Sequence, residues 1–145
     1  MSKGIIKLNA SFVSTGNAVG KKEYEGPLGT RFDIHDEDDR FGQKTWEEAE
    51  SEMQKEACLM ALGKAKLDPH DVRYLFGGDL LRQGIATSMG LEELHIPLFG
   101  LYGACSTSGE ALALSSMSVA AGYGDYISPD GKIDASTCIF PETTW

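Results

Sequence analysis

Between residues 45 and 124 the chain alternates between two apolar rhythms. After Thr45, the residues Trp46, Ala49, Met53, Ala57, Met60 and Ala61 recur at spacings of three and four, which predicts one buried stripe on a helix reaching about Lys66. Thr45 followed by Glu48 is a capping box, and the glutamates there complement the helix N-terminus. Cys58, Leu59 and Leu62 widen the apolar face at the other end, which puts Cys58 in the core. The break comes at Leu67, Asp68, Pro69 and His70. Residues 72–78 then read as a buried strand closed by Gly77, Gly78 and Asp79. A second helix is predicted over 80–94, a further strand over 97–102, and a third helix over 106–121. The third helix is rich in Ala, Ser and Gly, which lets neighbouring backbones approach it closely.

The first third of the chain is less regular. Residues 5–13 mix β-branched and polar side chains and predict a first strand or an extended lead-in. Residues 14–43 carry six Gly and Pro positions (Gly16, Gly20, Gly26, Pro27, Gly29, Gly42) and predict a long loop, of the kind that in compact domains serves function or interaction. Asp36, Glu37, Asp38 and Asp39 lack the alternating ligands, central Gly and terminal Glu of a calcium-binding EF-hand loop and read as solvated. The succession of strand and helix implies an α/β fold with parallel pairing and right-handed crossovers.

Composition narrows the partners. A chain of 145 residues with 41% hydrophobic and 24% charged residues is long enough for one domain with a core. No apolar run reaches the ~18 residues of a membrane span. The apolar block after Met1 is too short for a signal peptide, so the chain is expected to stay inside the cell that makes it. The net charge of −9 speaks against nucleic acid and against direct docking to an anionic membrane. Three widely spaced cysteines without a CxxC pair argue against a disulfide framework or a zinc site.

Chemistry concentrates at two strand ends. Gly103, Ala104, Cys105 and Ser106 interrupt an apolar run where a helical pattern begins, which puts the Cys105 thiol over a helix N-terminus. Backbone N–H groups and the helix dipole there favour a thiolate or a bound anion. A small buried cysteine in a tight turn is the plainer reading. Asp79 ends the adjacent predicted strand and is read as a helix N-cap, as a ligand-facing carboxylate, or as both. Gln83, one turn on, either projects toward the same cleft or lies at the surface. His35, His70 and His95 all fall in loop or turn contexts, where none is suited to act as a catalytic base.

The segment Gly103-Ala104-Cys105-Ser106-Thr107-Ser108 resembles the cysteine elbow of the thiolase and ketoacyl-synthase superfamily. Further segments narrow the likeness: Glu25-Gly26-Pro27-Leu28-Gly29, Phe32-Asp33, Gln43-Lys44-Thr45-Trp46 with the following glutamates, Asp79-Leu80-Leu81-Arg82-Gln83, and Ile96-Pro97. Together they resemble the stage V sporulation protein AD family, non-enzymatic thiolase-like proteins of spore-forming Firmicutes. The resemblance covers residues 9–124. It implies one half of a duplicated thiolase-like fold, with a parallel sheet and helices on both faces. It also implies binding of dipicolinic acid, free or as the calcium chelate, for uptake into the developing spore, with a bearing on spore germination. Asp79, Cys105, Ser106 and Gln83 are the ligand-binding candidates that follow. Calcium would enter only within the chelate, and no other cofactor is implied. The implied partners are other stage V sporulation A proteins at the spore inner membrane, with this chain cytoplasmic in the sporulating cell or forespore and peripheral to that membrane. The alternative is a fragment of an acyl-transferring thiolase or ketoacyl synthase with Cys105 as nucleophile; the base such an enzyme needs lies in the other half of the fold.

Past residue 125 the resemblance fades. The segment 126–145 is turn-rich around Pro129, Asp130 and Gly131 and reads as a divergent tail on a thiolase-like N-terminal half spanning 1–125. The chain is thus expected to be a truncated or rearranged copy, prone to self-association through the helix face and sheet edge that a second half would cover.

Overall fold

The computed structural model describes residues 4–80 and 83–124. The boundary expected at residue 125 and the divergent tail lie outside these, as do Leu81 and Arg82 of the predicted second helix.

The central helix forms where the apolar stripe places it. It is α2, Trp46–Ala65. The element order around it is β1 (Ala18–Val19), α1 (Lys21–Tyr24), β2 (Ile34–His35), α2, β3 (Leu75–Gly77), α3 (Ile85–Leu91), β4 (Leu98–Gly100) and α4 (Thr107–Ala120). The capping box is present: the Glu48 N–H donates to Thr45 Oγ1 at 3.2 Å, and the Thr45 N–H donates to Glu48 Oε2 at 3.1 Å. At the other end Lys66 takes a left-handed conformation, φ 59°, and Leu67 N–H reaches back to the Leu62 carbonyl at 3.0 Å. This is a C-terminal stop in which a lysine stands where glycine is usual.

The core lies between α2, α3 and the β3–β4 pair. Cys58, Leu62, Val72, Leu75, Leu91, Leu94 and Ile96 form one buried cluster, with Leu67 and Leu98 packed against it. Cys58 is therefore a core residue, whereas Leu59 at the same end of the helix stays exposed. β3 and β4 run parallel in the register Leu75↔Leu98, Phe76↔Phe99, Gly77↔Gly100. Side chains alternate across a strand, so Leu75 and Leu98 serve this cluster while Phe76 and Phe99 stack on the opposite side, ring centroids 5.0 Å apart. α4 packs against β3, and a Cβ at Gly78 would collide with the Leu101 carbonyl and stand only 2.7 Å from the Thr107 methyl. The pair β3–β4 thus has α2 and α3 on one side and α4 at its carboxyl end. The architecture is α/β with parallel pairing and helices around it.

Three sequence expectations shift. Residues 5–13 carry no strand ladder; Ile5, Ile6, Phe12 and Val13 are exposed and meet no partner strand among the described residues. The loop 14–43 instead holds a second parallel pair, β1 with β2, too short to have shown a period-two pattern. A side-chain clamp supports it: the Asp33 N–H donates to Asn17 Oδ1 at 2.8 Å, and the Asn17 N–H donates to Asp33 Oδ2 at 3.2 Å. Among the described residues the expected parallel sheet is divided into two separate two-stranded sheets. The second helix also begins later than residue 80. Gln83 and Gly84 both have positive φ (54° and 96°), which holds them out of the helix, and the α-helical turns start at Ile85.

The acidic loop has a structural use. Lys21 N–H donates to Asp39 Oδ1 at 2.7 Å, Asp38 N–H to Asp36 Oδ1 at 3.2 Å, and Lys64 Nζ pairs with Asp33 Oδ1 at 2.6 Å. These carboxylates staple the loop and tie it to α2, and among the described residues no group of three acidic, His or Cys side chains is arranged to hold a metal ion.

Candidate functional site

The site is built at the carboxyl ends of β3 and β4. Gly78 and Asp79 follow β3; the chain leaves β4 through Leu101, whose N–H donates to the Gly77 carbonyl at 2.8 Å, and turns at Gly103. Residues Ala104–Ser106 form a single 3₁₀ turn that runs into α4. Ala104 sits at φ 49°, a strained conformation for a residue with a Cβ. Thr107 secures the turn from below: its Oγ1 accepts the Gly103 N–H at 3.0 Å and donates to the Ala104 carbonyl at 2.8 Å. Cys105 rides on this turn with an exposed, unbridged thiol. Of the two readings left open by the sequence, the buried turn cysteine is set aside: Cys105 faces outward over the start of a helix of 14 residues.

Ser106, beside it, is also exposed, but its hydroxyl is shared within the loop. Oγ lies 2.7 Å from the Gly103 carbonyl and 2.8 Å from Glu110 Oε1. One hydroxyl proton serves one of these acceptors at a time. Glu110 therefore folds back over the elbow, and a Cβ at Gly103 would collide with its carboxylate.

Asp79 lies elsewhere in character. It is only 4% exposed, and both carboxylate oxygens are engaged. Oδ1 accepts the Gly84 N–H at 3.0 Å, and Oδ2 accepts both the N–H and the Oγ1–H of Thr87, each at 3.0 Å. It caps α3 from outside the N-cap position, standing five residues before the N-cap Gly84 and eight before Thr87. Gln83, between them, is exposed at the surface. The geometry thus joins Cys105 and Ser106 on one open turn. Asp79 stands behind the neighbouring strand end as a buried cap, and Gln83 lies on the segment that Asp79 holds.

Sequence reasoning passed over four participants: Glu50, Gln54, Thr87 and Glu110. Glu50 and Gln54 are each 3% exposed on α2, which packs against α3, and Glu50 lies within reach of the Asp79 charge. Their signal was legible, because residues 49, 50, 53, 54, 57 and 58 make one continuous helical stripe into which these two polar side chains fall. Burial, followed by the nearby Asp79 charge, pushes the Glu50 carboxyl up to about 7, against a Leu80 N–H that favours its ionised form.

Taken together, parallel β3–β4 pairing, a cysteine-bearing elbow and a helix rising directly from it define an α/β protein with its open face at the strand ends. A family model of stage V sporulation protein AD matches residues 3–131. Over 110 residues the chain is 40% identical to stage V sporulation protein AD of Bacillus subtilis (strain 168), covering 76% of this chain. The chain belongs to the stage V sporulation protein AD family, a family of sporulation proteins. It spans about a third of that curated relative, the match covering 32% of the relative's length. Among the described residues no helix is long and apolar enough to cross a membrane.

Proposed function

We propose that this chain binds dipicolinate at the Cys105 elbow, without catalysing its conversion, and so serves the movement of that ligand into the developing spore. The observation that carries this reading is the exposed 3₁₀ turn at the head of α4, set at the end of a parallel strand pair in a chain of this sporulation family. Dipicolinate is a planar pyridine flanked by two carboxylates. The first turn of α4 offers it N–H groups and the positive end of a helix dipole. A chain of net charge −9 repels a free dianion, which favours the neutral calcium chelate as the bound form, and calcium enters only within it. Cys105 and Ser106 form the floor in this reading. Asp79 fixes the segment that presents Gln83 as a wall. Other stage V sporulation A proteins are the proposed partners, with the chain cytoplasmic in the sporulating cell or forespore and held to the spore inner membrane through them.

Titration calorimetry with calcium dipicolinate tests this on the wild type, Cys105→Ala and Gln83→Ala. Weakened binding in both variants is expected; equal heats in all three would sink the site assignment. The acyl-transfer alternative rests on the exposed Cys105 thiol. It is separated by mass spectrometry after incubation with an acyl-CoA, where a stable adduct on Cys105 would favour the enzyme over the binding protein.

A further inference from the structure

The buried face of α2 holds a polar pair that the site at the elbow does not use. Glu50 Oε2 and Gln54 Oε1 are both buried, and neither has a hydrogen-bond partner among the described residues. Buried acceptors are almost always paired, so two orphans on one helix call for a common cause. Residues four apart lie one above the other on a helix face. A carboxylate oxygen and an amide oxygen repel each other there unless a proton stands between them.

We propose that Glu50 carries a proton in the folded chain and donates it from Oε2 to Gln54 Oε1, making the α2–α3 junction a contact that holds when the proton is present and loosens when it leaves. One proton satisfies both orphans at once. The surroundings agree with the neutral form. Among the described residues, the charged groups that act on Glu50 are acidic: Asp79 at the end of β3, and Glu47 on α2 itself. α3 and β1, which pack on α2, contribute no titratable side chain, having the sequences Ile-Ala-Thr-Ser-Met-Gly-Leu and Ala-Val. Burial and Asp79 raise the carboxyl from 4.5 to about 7, while the Leu80 N–H opposes them. Gln54 needs no charge to take part, only its carbonyl.

Loss of the proton has a defined place of action. It creates a second buried anion beside Asp79, the residue that holds Gly84 and Thr87 at the start of α3. The same junction is tied by Ser51 Oγ, which donates to the Ala86 carbonyl at 2.8 Å one residue along α2. A rise in pH through neutrality therefore bears on the α2–α3 seam and on the segment carrying Gln83.

The sign follows from the direction of the shift. Folding binds a proton between the unfolded and folded titration points, so stability is fully present below pH 4.5 and is lost as pH rises through about 7. The folding equilibrium constant is expected to fall by about 300-fold across that window through this group alone. The test is denaturation of the full chain by urea at pH values from 5 to 8.5, beside Glu50→Gln and Gln54→Leu. Glu50→Gln keeps an acceptor for Leu80 and offers an N–H donor to Gln54, so it is expected to lose this pH dependence and to exceed the wild type above neutrality. Infrared spectroscopy of the wild type supplies a readout independent of any variant. A protonated-carboxyl band present at pH 6 should vanish with a midpoint near 7 and be missing in Glu50→Gln, and the midpoint should drop in Gln54→Leu. Parallel pH profiles for wild type and Glu50→Gln, or no such band at pH 6, would overturn the proposal.

Discussion

Replacing Asp79 should cost more stability than any other single change at the strand ends. Asp79→Ala removes an acceptor that serves three donors: Gly84 N–H, Thr87 N–H and Thr87 Oγ1–H. Thr87 is wholly buried, so water cannot replace the carboxylate there. A buried donor left without its partner costs about 1–3 kcal/mol. The Thr87 hydroxyl can turn toward another acceptor and the partly buried Gly84 can reach solvent, which brings the total to about 3–5 kcal/mol. Relief of Glu50 from the neighbouring negative charge gives back a part of this. Asp79→Asn keeps an oxygen for Thr87 but turns an amide N–H₂ toward the Gly84 N–H, for a loss of about 1–2 kcal/mol. A domain of this size has a total of only about 5–15 kcal/mol, so the alanine variant should lose a large share of its stability. Urea denaturation followed by far-ultraviolet circular dichroism measures the series, with the expected order wild type, Asn, Ala. An alanine variant within about 0.5 kcal/mol of the wild type would refute the capping role. The consequence for function is direct: lost ligand binding in Asp79→Ala reports on folding first, and the exposed Cys105 is the cleaner probe of the elbow.

Two further outcomes follow from the packing. A Cβ at Gly90 would run into the Ser51 carbonyl across the α2–α3 seam, so Gly90→Ala should destabilise by about 2–3 kcal/mol in the same assay despite its better helix propensity. Phe99 on β4, Tyr102 just after it, and Leu112, Leu114 and Met117 on α4 are exposed apolar side chains, each at least 38% exposed, so the purified chain should self-associate at micromolar concentration in sedimentation velocity. A compact monomer would show that other residues of the chain cover this surface.

Sequence periodicity was sufficient for α2, because a helix that buries one stripe and carries its own capping box is specified by neighbours three and four apart. The parallel strands were legible by a different signal, since Leu75 and Leu98 sit in short apolar runs bounded by glycine, and α4 by its run of small residues after the turn. The exposed elbow was legible as a place, since Gly103 and the small residues after Ala104 mark a turn into a helix. The small β1–β2 pair was not, because two-residue strands have no period to read and Asn17 and Asp33 hold them by side chains. The capping role of Asp79 was among the readings the sequence left open, but the geometry by which it caps was out of reach. A carboxylate followed by a helical pattern reads as an ordinary N-cap, and only the left-handed Gln83 and Gly84 send the helix start on to Ile85 and draw Thr87 onto the same oxygen. Glu50 and Gln54 illustrate the division most sharply. Their spacing places them on the buried stripe, which sequence alone determines. What they meet there depends on α3 and the end of β3 closing over them, and that closure alone decides whether a buried glutamate is an anion or an acid.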